Sequence, residues 1–478
     1  MMDSSISFVL DGEITTLGFS GPTSFRPTTT VLNYLRALPG HTGTKRGCDE
    51  GDCGACTVAL GEPDANGVIR YKAVDSCLIF LPMLHGKHLL TVENLRNAEG
   101  ALHPVQTAMI DEHGSQCGFC TPGVMMSLFA HYKENRNGSR EDIDLALSGN
   151  LCRCTGYEPI INAAESLRGT NGADHVDVDE RKTKRLLDSI ARTSVVLETD
   201  GQGYFLPSTL SQALAFLAEH PDAIILNGAT DVALRVTKRH ERFPKVLDLS
   251  QLASLRNIDE RKDASLIGSG VTLRELMEYS AKRFPALHAI LRVFGSQQIR
   301  NLATLGGNLG TASPISDTLP VLMAYKARVI LESAPGVREL PLDQYILGYR
   351  KTARKPDELI TGVIIPNLQN DSMVRSYKVA KRRDFDIATV SGGFRLQRDR
   401  SNNISEITLA YGGMAECTKR ARSAEQFLTG KEWNRQNVDQ AAKLIDTDFR
   451  PISDVRASAE MRRIVARNLL LKFWSETK

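Results

Sequence analysis

Nowhere in its 478 residues does the sequence hold an apolar run long enough to span a bilayer. Its N-terminus, Met1-Met2-Asp3-Ser4-Ser5-Ile6-Ser7-Phe8-Val9-Leu10, lacks the basic start, long apolar stretch and twin arginine of an export signal, so the expected compartment is the cytoplasm. Charge of one sign is missing too. A net charge of +3 with 24% charged residues gives no nucleic-acid or membrane signature. There is no internal repeat, no low-complexity tract and no G-x-G-x-x-G fingerprint of a Rossmann site. The ten histidines show no ligand-like clustering, which leaves them structural or exposed. Cysteine is nearly absent from the last two thirds of the chain: eight of nine lie before residue 155, in two tight groups. In so long a chain this argues for metal ligation over a disulfide scaffold. Cys417 stands alone and is expected to be a small core residue.

What is present centres on Arg46-Gly47-Cys48-Asp49-Glu50-Gly51-Asp52-Cys53-Gly54-Ala55-Cys56, followed by Cys77. This spacing is the plant-type ferredoxin pattern for a [2Fe–2S] cluster. Gly47, Gly51 and Gly54 permit the tight backbone that turns amides toward a cluster. The alternative is zinc held by four cysteines, but zinc modules usually present paired Cys-x2-Cys knuckles, and only Cys53 and Cys56 form one here. The second group is Gln116-Cys117-Gly118-Phe119-Cys120-Thr121-Pro122-Gly123 with Asn150-Leu151-Cys152-Arg153-Cys154-Thr155-Gly156. By ligand count alone it stays open between zinc and iron.

Taken in order, residues 6–10 and 13–17 read as strands about an Asp11-Gly12 turn, and Thr28 to Thr30 can cap a helix that Pro39-Gly40 stops. Strands at 57–60 and 68–74 complete a small sheet grasping one helix, ending near residue 92. The second cysteine group lies among helices at 104–111, 122–132 with Thr121 as cap, 142–147 and 160–167. Such helix ends stabilise thiolates. From about 170 the apolar periodicity fades, and the polar stretch through Glu180-Arg181-Lys182-Thr183-Lys184-Arg185 reads as a solvated linker. Beyond it helices and strands alternate. Asn227-Gly228-Ala229-Thr230-Asp231 is a tight turn after a buried strand and a plausible phosphate cradle, although an ordinary turn remains open. A second glycine-rich region, from Phe294 through Ala303-Thr304-Leu305-Gly306-Gly307-Asn308-Leu309-Gly310 to Ser313-Pro314-Ile315-Ser316-Asp317, points to a dinucleotide-binding fold other than Rossmann. The last segment has strands at 375–380, 388–396 and 404–411, then helices through 471.

With these motifs in this order, and Cys152-Arg153-Cys154-Thr155-Gly156-Tyr157 among them, the chain resembles over almost its whole length the small, iron–sulfur and flavin subunits of bacterial members of the xanthine oxidase family of molybdenum hydroxylases, the purine-oxidising ones above all. The resemblance implies an α+β multidomain chain: a β-grasp [2Fe–2S] ferredoxin-like domain (1–92), a helical [2Fe–2S] domain (93–170), a linker (171–203), an FAD domain of vanillyl-alcohol-oxidase type (204–371) and a CO dehydrogenase flavoprotein-like C-terminal domain (372–478). It implies Cys48, Cys53, Cys56 and Cys77 on one cluster and Cys117, Cys120, Cys152 and Cys154 on the other, the latter nearer the molybdenum cofactor with Gln116 close to its pterin. FAD would be held by Asn227, Gly228, Ala229, Thr230, Asp231, Phe294, Thr304, Gly307, Asn308 and Asp317, with Lys378 approaching the flavin and Tyr349 contacting the nicotinamide of NAD+. A chain ending at Lys478 leaves no room for a molybdenum-binding domain. The expectation is therefore a large molybdenum subunit as partner, in an α2β2 heterotetramer, with no catalytic residue for substrate oxidation on this chain.

Overall fold

The structure, a computed structural model, describes residues 4–19, 25–170, 172–199, 201–369 and 371–478. Asn171 and Asp200 of the expected linker lie outside the described residues. The chain forms two compact units: one holds the chain to Phe216 with Asp222–Leu252 and Ser296–Ala303, the other Leu217–Pro221, Ala253–Gly295 and Thr304–Lys478.

In the first unit, β1 (Ser5–Leu10) and β2 (Glu13–Gly18) pair antiparallel about the Asp11-Gly12 turn, both turn residues at positive φ as a tight hairpin demands. Thr30 then starts α1 (Val31–Ala37), its hydroxyl accepting from the Asn33 amide at 3.3 Å. With β3 (Thr57–Pro63), β4 (Ile69–Asp75) and β5 (His88–Leu90) the strands form one sheet in the order β2-β1-β5-β3-β4. Val31, Leu32 and Leu35 of α1 pack against Phe8, Val58 and Leu78, all fully buried. Each such side chain contributes about 1.5–3 kcal/mol of burial. The cysteine loop spans the gap between α1 and β3, so the sheet fixes both of its ends.

Four helices follow: α2 (Pro104–Asp111), α3 (Thr121–Glu134), α4 (Arg140–Leu147) and α5 (Glu158–Ser166). Their buried faces, with Val105, Val124, Leu128, Ile143 and Ile160, make a core of their own that includes Cys152. One expected detail differs. Cys120, not Thr121, is the N-cap of α3, and the Thr121 hydroxyl bonds that of Ser115 at 2.8 Å.

The expected linker is not a solvated strand of chain. It folds into α6 (His175–Val178), α7 (Glu180–Ser189) and β6 (Val195–Thr199), and β6 pairs with β7 (Gln202–Leu206). Asp174 anchors the start: its carboxylate accepts from His103 Nε2 and Lys133 Nζ, each at 3.0 Å, and caps α6 through the Asp177 amide. Glu180 accepts from the Ile69 amide at 2.9 Å, and Thr183 and Leu187 of the charged run are buried. His85 Nε2 lies 3.0 Å from the carbonyl of Ala191. The connector is thus fastened at four points, which overrides its weak periodicity. After β7 come α8 (Leu210–Glu219), β8 (Ile224–Leu226), α9 (Val232–Thr237) and β9 (Lys245–Asp248), giving a sheet in the order β6-β7-β9-β8. Val195, Leu197, Tyr204 and Val246 of that sheet share the apolar core of the cysteine-loop sheet. An edge at residue 203 would divide the β6–β7 hairpin.

The second unit contains an antiparallel five-stranded sheet in the order Ile258–Glu260, Ala264–Gly268, Leu359–Pro366, Arg328–Ser333, Gly336–Pro341. A second antiparallel sheet, Ser372–Val379, Val390–Arg398, Ile404–Gly412 and Lys419–Arg420, carries the closing helices Arg422–Leu428, Arg435–Asp448 and Ala459–Thr477 over a core of Phe394, Tyr411, Trp433 and Phe473. Cys417 is buried. Among the described residues no helix is long and apolar enough to cross a membrane.

Candidate metal and cofactor sites

The loop between α1 and β3 brings Cys48, Cys53 and Cys56 to one place, and the turn after β4 adds Cys77. Gly51 and Gly54 sit at φ +77° and +66°, the left-handed backbone the loop needs. Two amides, those of Glu50 and Asp52, point at Cys48 Sγ from 3.4 and 3.3 Å. The thiols meet as pairs, Cys48 with Cys53 and Cys56 with Cys77, each hydrogen-bonded sulfur to sulfur. The Cys53 thiol and these amides pull Cys48 down to about 5 against its burial. Hydrogen bonding to Cys56 and burial push Cys77 up. Beneath them Asp75 is fully buried, its carboxyl pushed well up by burial and by the sulfurs' charge, with Cys56 Sγ donating to it at 3.8 Å.

The second quartet repeats the pairing on other scaffolding. Cys117 contacts Cys154, and Cys120, at the head of α3, contacts Cys152 on the loop between α4 and α5. The Cys152 amide donates to the Tyr157 hydroxyl at 2.9 Å, and Cys152 Sγ lies 3.1 Å from Thr155 Oγ1. Tyr157 adopts φ +71° to make that reach. The Phe119 amide, with the Cys154 thiol, lowers Cys117, whereas burial raises Cys120 to about 12. Cys117 and Cys154 are exposed, as are Phe119, Leu151 and Gln116.

Both quartets suit a diiron cluster. Each iron of a [2Fe–2S] centre takes two protein ligands, and two touching pairs of thiols match that division. A single tetrahedral ion would gather its ligands about one point.

The residues expected to hold FAD are divided between the units. In the first, Asn227–Asp231 forms the turn between β8 and α9, with Gly228 and Ala229 at φ +92° and +64° and the Ala229 carbonyl starting α9 through the Ala233 amide. In the second, Thr304 caps the helix Leu305–Thr311 by accepting from the Gly307 amide at 3.1 Å, and Asn308 Oδ1 accepts from the hydroxyls of Ser316 and Thr318. Phe294 is half-buried nearby in sequence. Asp317 and Lys378 form a buried pair at 2.8 Å, and Lys378 also donates to the Val293 carbonyl at 2.8 Å. Burial raises the Asp317 carboxyl to about 6 although Lys378 opposes it. Its second oxygen, Oδ1, is buried without a hydrogen-bond partner, which fits a site built for a polar ligand. Tyr349 stands 66% exposed on the turn between Ile346–Gly348 and Lys351–Thr352. Asp75, Ser127, Asn150 and Gln298 carry no signature in the sequence, because their contacts come from distant segments and leave no local pattern; Thr155 meets Cys152 only three residues away.

Three stretches of the chain match known domain families. Residues 91–165 match a [2Fe-2S] binding domain, 198–368 the FAD binding domain in molybdopterin dehydrogenase, and 375–477 the CO dehydrogenase flavoprotein C-terminal domain. Xanthine dehydrogenase of Emericella nidulans is 34% identical over 90% of this chain and 35% of its own length. Xanthine dehydrogenase 1 of Arabidopsis thaliana is 33% identical over 93% of this chain and 38% of its own length. The chain thus spans little more than a third of the curated relatives it matches. Among solved structures, a chain of carbon monoxide dehydrogenase from Hydrogenophaga pseudoflava superposes with a TM-score of 0.54 at 24% identity, covering 56% of this chain and 94% of its own. A chain of quinoline 2-oxidoreductase from Pseudomonas putida 86 gives 0.53 at 24% identity, covering 57% and 95%. These two likenesses concern the fold. A [2Fe-2S] binding domain, a flavin domain of the molybdopterin dehydrogenase type and a CO dehydrogenase-type C-terminal domain follow one another along a chain similar over 90% of its length to a xanthine dehydrogenase, and the chain belongs to the xanthine oxidase family of molybdenum hydroxylases as an iron–sulfur and flavin member.

Proposed function

We propose that this chain is the electron-transfer part of a xanthine dehydrogenase, carrying electrons from purine hydroxylation at a molybdenum centre to NAD+. Cys48, Cys53, Cys56 and Cys77 hold one [2Fe–2S] cluster; Cys117, Cys120, Cys152 and Cys154 hold the other. The observation that carries the reading is the two-and-two pairing of thiols in both quartets of a chain that also has a flavin domain. When bound, the clusters take and pass single electrons and FAD gathers two for a hydride acceptor.

The protein's own work is positioning. The amides of Glu50 and Asp52 stabilise negative charge on Cys48, and Phe119 does the same at Cys117. Asn227–Asp231, Phe294, Thr304, Gly307, Asn308 and Asp317 serve FAD, Lys378 stabilises negative charge near the flavin, and Tyr349 stacks on nicotinamide. The exposed edge at Cys117 and Cys154, rimmed by Phe119, Leu151 and Tyr157, is where a molybdenum-binding large subunit would dock, with two copies of each chain in the assembly. A reducing cytoplasm, where thiols stay free for metal, is the compartment this chemistry suits.

The test is to purify the protein with whatever binds it, measure iron, FAD and molybdenum, and follow xanthine-dependent NAD+ reduction. Co-purifying molybdenum with purine turnover supports the reading. Molybdenum with turnover of an aldehyde or another N-heterocycle moves the substrate assignment, and absence of molybdenum leaves a partner-free redox protein.

A further inference from the structure

Within the first unit the two cysteine loops are joined by one buried amide. Asn150, 3% exposed, lies two residues before Cys152. Its Nδ2 donates to the carbonyl of Gly54 at 3.1 Å and to Thr57 Oγ1 at 3.2 Å, on the loop that carries Cys53 and Cys56. Beside it the Leu151 amide donates to the Cys53 carbonyl at 3.0 Å, so a single hydrogen bond separates the chain at Cys152 from the chain at Cys53.

The backbones approach so closely that side chains are excluded. A Cβ on Gly54 would stand 2.3 Å from the Gly149 carbonyl oxygen, and one on Gly123, in the first turn after Cys120, 2.1 Å from that of Gly54. The orientation of Asn150 is fixed from its other side. Its Oδ1 accepts from Ser127 Oγ at 2.6 Å and from Gln298 Nε2 at 2.8 Å, and Gln298 Nε2 also donates to Ser127 Oγ at 2.8 Å. Gln298 belongs to the flavin-domain sequence but, with Ser296–Ala303, is part of the first unit. The Asn301 amide group, three residues on, donates to the Ala73 carbonyl at 2.8 Å.

We propose that Asn150 is a positioning residue that holds the two cluster loops at a fixed separation, and that Gln298, supplied from the flavin-domain sequence, keeps it in that pose. Every hydrogen-bonding atom of the Asn150 carboxamide is used, so the link has one orientation and no slack. The inference rests on the cysteines holding clusters as proposed above. It adds that the coupling between them depends on a residue that ligates neither.

The experiment uses the full chain loaded with iron and reduced with dithionite, and compares wild type with Asn150→Leu and Gln298→Met by electron paramagnetic resonance. The readout is the splitting that arises from magnetic interaction between the two reduced clusters, together with the rate of electron exchange between them after flash reduction. Expected is full iron content and both individual signals in Gln298→Met, with the splitting narrowed and exchange slowed, and a larger loss of both in Asn150→Leu. Unchanged splitting and exchange in both variants overturns the proposal. So does loss of iron in Asn150→Leu alongside an unaltered Gln298→Met, since Asn150 would then serve folding only. Wild-type protein that binds no iron overturns the cluster reading itself, and this outcome is visible before any variant is made.

Discussion

The first quartet keeps Cys56 and Cys77 at 2% and 1% exposed inside the apolar core of a sheet, whereas the second leaves Cys117 and Cys154 at the surface beside an exposed Phe119. Ligand type and number are the same. What differs is access: sheet and core enclose the first site, while helix ends and loops present the second. The proposed relay uses both kinds, an edge open to an electron source and an interior shielded from water and oxidants. Two buried aspartate–lysine pairs repeat the contrast. Asp174 has all its partners, with His103, Lys133 and the Asp177 amide outweighing its burial and holding its carboxyl far below the usual range. Asp317 has Lys378 and one orphaned oxygen, and burial holds it near 6. The former is a finished joint; the latter leaves one buried polar atom unsatisfied.

The largest expected effect tests the quartets. Cys56→Ala and Cys154→Ala should each cost about half of the bound iron, but stability to denaturant should fall further for Cys56→Ala, by about 3 kcal/mol or more, because its sulfur is also part of a core. Equal losses, or a greater one at Cys154, break the comparison. Next, Asp174→Asn should destabilise the first unit by about 3 kcal/mol, since it removes one of the two carboxylates that pair with the buried Lys133 and leaves Asp177 alone to do so. Thermal unfolding with and without the substitution measures it.

The same two carboxylates should respond to pH with opposite signs. The depressed Asp174 contributes stability that is present above about pH 4 and lost in acid. Asp317, raised to about 6, contributes stability that is full below about pH 4 and lost as pH climbs through 6, about 2–3 kcal/mol in all. A pH series of unfolding free energies should therefore show the second slope vanish in Asp317→Asn, whatever that variant's absolute stability. A chelator should bleach the visible absorbance in two phases, the faster one removing the signal of the exposed quartet; a single phase would erase the distinction. Smallest of all, Tyr349→Ala should leave stability within about 0.5 kcal/mol, as the side chain is solvent-facing, while NAD+ reduction falls and dye reduction persists.

Much of the fold was legible because its signals are local. The Asp11-Gly12 hairpin, the Thr30 cap and Pro104 at the start of α2 each specify a few neighbouring dihedrals, and the cysteine spacings mark the loops whose thiols the structure brings together. Misreadings arose where distant contacts decide. The run Glu180–Arg185 has too few apolar residues to announce a helix, yet α7 forms because Glu180 reaches the Ile69 amide and Leu187 is buried. Thr121 looked like a cap because Pro122 follows it, but the proline occupies the second helical position and Cys120 takes the cap. Asn150 and Gln298 stand 148 residues apart, and no periodicity links them.

The excursion of Ser296–Ala303 into the first unit has a practical consequence for anyone dissecting the molecule. Cutting the gene once, anywhere after the second cysteine group and before Ser296, would yield an iron–sulfur fragment whose buried amide of Asn150 faces a hole where Gln298 belongs, and whose Ala73 carbonyl has lost its cap. Supplying the missing stretch as a synthetic peptide, or grafting it onto the fragment's tail, is the remedy this topology dictates.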